Sequence, residues 1–216
     1  MEINKIICGD CLEVMKDFPD KSIDLILTDP PYNAENIGPN QRIYSKGKMR
    51  LPEKEYKKFC KDWFKEAQRI SDRIVFTPGI ANTHFYSQPF WQICWHKPAA
   101  VSFNRMGGYN AWEPIFIYGK PPKGKRIGQD YKLQNTLNLT PGICREHPCP
   151  KPLPLWEWLV DKFSNKNEII LDPFIGSGTT AVACKRLKRN FIGIEINPDY
   201  CKIAEERLRG QPEPLF

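Results

Sequence analysis

The sequence predicts an α/β fold built on a doubly wound, mostly parallel sheet of seven strands, and three observations carry that expectation. Short apolar or β-branched runs recur along the chain, several are separated by stretches with helical spacing, and one leads straight into a glycine turn and a helix start. The runs are Lys5–Cys8, Ile23–Leu27, Arg73–Thr77, Trp91–His96, Glu113–Tyr118, Glu168–Leu171 and Phe191–Glu195, each bounded by polar or turn residues. Alternation of strand and helix implies right-handed crossovers and therefore parallel neighbours. Trp91–His96 and Glu113–Tyr118 have no helix between them and are expected to pair antiparallel.

The helices follow from spacing and from caps. Tyr56, Phe59, Cys60, Trp63, Phe64, Ala67 and Ile70 fall on one face of a 3.6-residue period. A second helix is expected around Leu155–Phe163 and a third from about Gly178 to Lys188. The last opens at Asn197-Pro198, a capping side chain followed by proline at the first helical position, and Gly210 closes it. Five prolines between Pro141 and Pro154 exclude a regular element there.

At 216 residues and 25.1 kDa the chain is long enough for one domain with a buried core, 1–216. Its 41% hydrophobic and 26% charged residues argue against disorder and against a disulfide-stapled scaffold. No apolar run approaches the roughly 18 residues of a membrane span, and the opening MEINKIICGD has the wrong charge order for a secretion signal. A cytoplasmic protein with no membrane partner is the expectation, with its eight cysteines reduced.

The net charge of +7 is local rather than general. Arg42–Lys58 holds seven Lys/Arg against two Glu, and Lys120–Lys132 five against one Asp, which leaves the remaining body slightly acidic. Two such segments suit a phosphate backbone, or are solvated loops.

Two segments carry chemistry. Glu168-Ile-Ile-Leu-Asp-Pro-Phe-Ile-Gly-Ser-Gly-Thr-Thr-Ala181 reads as buried strand, glycine turn and helix start, with Glu195 ending the next strand about 20 residues on, where an acid meets ribose hydroxyls. Asp172 ahead of the glycines would repel a pyrophosphate, so a cationic, phosphate-free nucleoside such as S-adenosylmethionine fits better than a dinucleotide. In Ile23-Asp-Leu-Ile-Leu-Thr-Asp-Pro-Pro-Tyr-Asn33 a strand ends in a proline-stiffened turn. Asp29 offers an acceptor, Pro30 a carbonyl without a competing N–H, and Tyr32 a flat ring, which together suit a planar base bearing an exocyclic amine.

Asp29-Pro30-Pro31-Tyr32 with Asp172-Pro173-Phe174-Ile175-Gly176-Ser177-Gly178-Thr179 resembles the DPPY class of DNA amino-methyltransferases, and the order of the two sites resembles its group β. The resemblance covers most of the chain apart from Ala34–Arg50 and Pro121–Glu146. It implies a Rossmann-like sheet of the S-adenosylmethionine methyltransferase type. The catalytic residues it implies are Asp29, Pro30, Pro31 and Tyr32. For the cofactor it implies Asp10, Cys11, Asp29, Lys151, Asp172, Pro173, Phe174, Gly176, Ser177, Gly178, Thr179, Glu195 and Ile196, with no metal. Gly9-Asp10-Cys11 is similar to the adenine-binding segment. His147-Pro148-Cys149-Pro150-Lys151-Pro152 is similar to a loop approaching the cofactor's methionine end, although the family more often has Thr-Gln at Cys149-Pro150.

A leading Asp in the tetrapeptide implies the N6 of adenine, and the alternative is the N4 of cytosine. In that mechanism the base flips out of the duplex, stacks on Tyr32, and gives its amino hydrogens to Asp29 and the Pro30 carbonyl before direct methyl transfer. The resemblance also implies a mobile loop at about 34–52 and a short target-recognition insert at about 121–146. A segment so short implies a brief target or a second copy of the chain that helps read it, and a companion restriction endonuclease is the further partner implied. Against this stand RNA as substrate, a nicotinamide-dependent oxidoreductase on the same glycine turn, a nucleic-acid-binding module without catalysis, and a zinc site of Cys8, Cys11, Cys144, His147 and Cys149.

Overall fold

The computed structural model describes residues 1–33, 51–97, 110–128, 130–132 and 151–211. Its strands are β1 (Lys5–Cys8), β2 (Leu25–Thr28), β3 (Ile74–Phe76), β4 (Trp91–His96), β5 (Trp112–Tyr118), β6 (Asp130–Lys132), β7 (Ile169–Asp172) and β8 (Asn190–Glu195). The helices are α1 (Cys11–Lys16), α2 (Glu53–Ile70), α3 (Leu153–Phe163), α4 (Thr179–Arg186) and α5 (Pro198–Arg209), with a 3-10 turn at Ile80–Phe85. The strands form one sheet in the order β1-β8-β7-β2-β3-β5-β4-β6. Only β5 runs against the others, pairing antiparallel with β3 and β4. The seven expected strands are present and the sheet is mostly parallel, and among the described residues it holds eight strands rather than seven. The eighth, β6, is the short Asp-Tyr-Lys segment at the sheet edge and carries no apolar run.

Side chains alternate across the central strands as the pleat requires. Leu25, Leu27, Val75, Ile115, Ile117 and Ile170 face α3, α4 and α5. Ile26, Ile74, Phe76, Phe116, Leu171 and Ile192 face α1 and α2. Both faces are therefore covered, which is why β2 and β7 are apolar up to their last residues, Thr28 and Asp172. Leu25, Ile26 and Leu27 are fully buried, each stabilising the fold by about 1.5–3 kcal/mol. Tyr56, Cys60, Trp63, Phe64, Ala67 and Ile70 form the buried stripe of α2. Asn197 caps α5 by accepting from the Asp199 amide at 2.9 Å.

Two crossovers leave the sheet centre in opposite directions. From β7 the chain passes through α4 to β8, and from β2 through α2 to β3. The adjacent pair β7 and β2 is thus the switch point, where a crevice opens beyond the carboxyl ends of the strands. No described helix is long and apolar enough to cross a membrane. The 34–52 loop, except Leu51 and Pro52, and most of the 121–146 insert lie outside the described residues.

Candidate active site

Four parallel strands, β1, β8, β7 and β2, end side by side, and each brings a carboxylate to that edge. Asp10 follows β1, Glu195 ends β8, Asp172 ends β7 and Asp29 follows β2. The sheet therefore brings together two motifs more than 140 residues apart in sequence, and the Thr28 hydroxyl joins them by donating to Asp172 Oδ1 at 2.6 Å.

Asp172 is the most enclosed of the four, 3% exposed. Besides Thr28 it accepts from the Phe174 amide at 3.0 Å and from the Thr180 hydroxyl, which in turn accepts from Trp156 Nε1 at 2.8 Å. Burial pushes its carboxyl up to about 6; those donors pull the other way, and the nearby Asp29 charge adds to the rise. With most of its acceptor capacity committed, Asp172 ties the glycine turn to β2 and contributes negative potential more than a free contact.

The glycine turn is held from two sides. The Gly176 amide donates to Glu195 Oε2 at 3.0 Å, and the Asn197 amide to Oε1 at 2.9 Å. The Ile196 amide is a further backbone donor to this carboxylate. Burial raises the Glu195 carboxyl above its ordinary range. Arg207 of α5 donates to the Ser177 carbonyl at 3.2 Å and to Thr179 Oγ1 at 2.9 Å. Gly178, at φ +81°, lies so close to α5 that a Cβ would stand 3.0 Å from that of Ala204. Its smallness serves helix packing. Pro173, Ser177 and Thr179 are buried, and Phe174 packs edge-on against Trp63 with centroids 5.6 Å apart.

Asp10 is exposed and caps α1, accepting from the Leu12 amide at 2.8 Å, which leaves its second oxygen available. Cys11 is buried with Met15 and Phe18, so its thiol faces the core and only its backbone reaches the edge; burial pushes that thiol up to about 12. Ile196, 69% exposed, sets an apolar side chain beside Glu195. Cys8 is exposed while Cys11 is buried. Cys144, His147 and Cys149 lie outside the described residues, and the described ones hold no cluster of three metal-ligating side chains.

At the end of β2, Asp29 Oδ1 accepts from the Tyr32 hydroxyl at 2.7 Å and from the Thr77 hydroxyl. Asp29 Oδ2 pairs with Lys151 Nζ at 2.7 Å. Pro30 is buried, and the Pro31 carbonyl accepts from the Tyr56 hydroxyl at 3.0 Å, tying the turn to α2. The Tyr32 ring rests on Gly79, whose φ of +72° and missing Cβ make room; a Cβ there would lie 3.1 Å from the ring. Burial, then the Asp29 charge, pushes the Tyr32 hydroxyl well above its ordinary range. Lys151 also stands 5.4 Å from the Tyr32 ring centroid and 6.0 Å from that of Trp95. Sequence reasoning missed Thr28, Thr77, Thr180, Trp156 and Arg207; the signal for Thr28 is a hydroxyl immediately before the acid that ends a buried strand.

A row of carboxylates around a glycine turn, with an apolar side chain beside Glu195, fits a positively charged nucleoside and disfavours a phosphate. The chain belongs to the N6/N4 DNA methylase family, which it matches over residues 23–206. The cofactor is S-adenosylmethionine, which the family uses and with which structural neighbours have been crystallised. Among its relatives, the type II methyltransferase M.HinfI of Haemophilus influenzae is 31% identical, over 98% of this chain and 70% of that one. M.HpaI of Haemophilus parainfluenzae is 30% identical, over 96% and 74%. The M1.HpyAVI complex with S-adenosylmethionine shares the fold at a TM-score of 0.61 and 26% identity, over 94% and 98%. The cytosine-N4-specific PvuII DNA methyltransferase does so at a TM-score of 0.70 and 18% identity, over 96% and 86%. Family membership removes the nicotinamide-dependent oxidoreductase from consideration.

Proposed function

We propose that this chain, acting as a single methyltransferase unit, moves a methyl group from S-adenosylmethionine to the exocyclic N6 of an adenine flipped out of duplex DNA. The observation that carries the proposal is the bridged pair of strand ends: Asp29 and Asp172 on adjacent strands, joined through Thr28. When bound, the cofactor supplies an electrophilic methyl on a sulfonium. The chain's own part is to bind, orient and hold protons. Glu195, Asp10 and the exposed Ile196 are the groups for the nucleoside.

Tyr32, braced by Gly79 and by its hydrogen bond to Asp29, presents a ring on which the base stacks, returning about 1–3 kcal/mol against an extrusion cost of a few kcal/mol. Asp29 Oδ2 and the Pro30 carbonyl take the two amino hydrogens, which turns the nitrogen lone pair out of the ring's conjugation and towards the methyl. Asp29 then holds the proton that the methylated nitrogen sheds. Thr77 and Tyr32 fix the other oxygen of that carboxylate, so the acceptor is oriented before the base arrives.

Adenine as target rests on the resemblance of the Asp-led tetrapeptide. Cytosine N4, the specificity of the PvuII neighbour, is the second reading. The type II names of the relatives support a companion restriction endonuclease in a cytoplasmic modification system. The test is to incubate the purified protein and S-adenosylmethionine with unmethylated genomic DNA, then digest to nucleosides and map the modified positions by sequencing. N6-methyladenine at a short recurring sequence is expected. N4-methylcytosine would select the second reading, and no methylated base would overturn the proposal.

A further inference from the structure

We propose that Lys151 is a latch on the catalytic carboxylate, released by the cofactor, so that the target amine is admitted only after the cofactor has bound; this rests on the function proposed above. The ammonium stands 2.7 Å from Asp29 Oδ2, the distance at which an amine nitrogen would hydrogen-bond to the same oxygen. Oδ1 already accepts from Tyr32 and Thr77, so Oδ2 is the oxygen the target amine must use. The pair is mostly enclosed, with side-chain exposures of 15% for Lys151 and 27% for Asp29. An enclosed ammonium held there occupies the amine's place and repels the positive charge that grows on nitrogen as the methyl arrives.

The cofactor carries the group that can draw it away. Its sulfonium must come within bonding reach of an amine on Asp29, and its carboxylate follows on a short carbon chain, inside the sweep of a lysine stem. The backbone need not move. Lys151 directly precedes Pro152, the cap of α3, whose first turn is pinned by the Trp156 amide donating to the Pro152 carbonyl at 3.2 Å. Only the side chain has to exchange one carboxylate for the other, which keeps the ammonium paired throughout. Lys151 acts through Asp29 and is therefore a positioning residue.

Binding of a duplex carrying the site found by the genomic mapping tests the latch, with the catalytic step left out. S-adenosylhomocysteine, which keeps the carboxylate, is expected to tighten wild-type binding about tenfold or more. The probe 5′-methylthioadenosine fills the nucleoside half without a carboxylate and is expected to leave duplex affinity unchanged. Lys151→Met is expected to bind the duplex without cofactor as tightly as the loaded wild type, with no further gain on loading, and Lys151→Arg to restore the dependence. Equal tightening by both probes, or undiminished coupling in Lys151→Met, would overturn the latch. So would a uniform loss of affinity in Lys151→Met, the mark of a structural role. The two-probe comparison uses the wild-type protein and holds even if a variant fails to fold. Absence of any methylated site in the mapping would instead remove the function on which the latch rests.

Discussion

Replacing Asp172 by Asn isolates the cost of holding a carboxylate inside the switch point. The ordinary aspartate titrates near 3.9, whereas burial lifts Asp172 to about 6. Between those values the folded chain keeps a proton that the unfolded chain has lost, so stability falls as pH rises through the window and then levels off. At about 1.4 kcal/mol per unit the full effect is on the order of 3 kcal/mol, of which about 2 kcal/mol falls between pH 4.5 and 7.5. Asn does not titrate. Its carbonyl still serves Thr28 and Phe174, but its NH2 leaves the Thr180 hydroxyl hydrogen without an acceptor, a pH-independent offset of about 1–3 kcal/mol. Urea unfolding of both proteins across that range separates offset from slope: the stability difference should move by about 2 kcal/mol in favour of Asn as pH rises. A difference that stays constant, or moves the other way, would mean that the three donors outweigh burial, and the assignment of Asp172 as an electrostatically costly anchor would be wrong.

Gly178→Ala is expected to destabilise by at least about 2 kcal/mol, since a left-handed residue is strained and its Cβ would meet Ala204. Gly124→Ala, at φ +86° with nothing within 4 Å, should show the backbone cost alone, and equal losses in denaturant melts would contradict the packing role of Gly178. Tyr32→Phe keeps the ring and loses the hydrogen bond to Asp29, so a modest fall in methylation rate is expected, whereas Tyr32→Ala should also lose about 1–3 kcal/mol of duplex binding. Identical duplex affinities for the two variants would argue against stacking. Lys151→Met completes the set, with the loss of cofactor-dependent duplex binding as its signature, a dependence that Lys151→Arg keeps.

Long apolar patterns translated well from sequence to structure, and short polar or long-range features did not. The stripe from Tyr56 to Ile70 became α2, and the runs at Trp91–His96 and Glu113–Tyr118 became the antiparallel pair β4 and β5, because period and length were unambiguous. Helix α1 is six residues long and offered only Cys11 and Met15 as buried positions; its one local signal was Asp10 followed three residues later by Glu13. Pro114 within β5 lies opposite Cys94 of β4 and beyond the stretch of β5 that pairs with β3. In the site, the motif residues were legible because each needs a particular side chain at a strand end. The partners of those residues were not: Thr28 reaches Asp172 across 144 positions, and Lys151 reaches Asp29 from the start of α3. The resemblance implies Lys151 for the cofactor, and in the fold its ammonium also pairs with Asp29, a pairing that only the folded sheet could reveal.

The most direct measurement compares methyl incorporation and S-adenosylhomocysteine binding in Asp29→Ala with the wild type. Methyl transfer should fall roughly 10²–10³-fold or more while cofactor affinity is retained or slightly increased, because Lys151 no longer has to leave a carboxylate. Near-normal methyl transfer, or a parallel collapse of cofactor binding, would contradict the placement of the amine acceptor at Asp29.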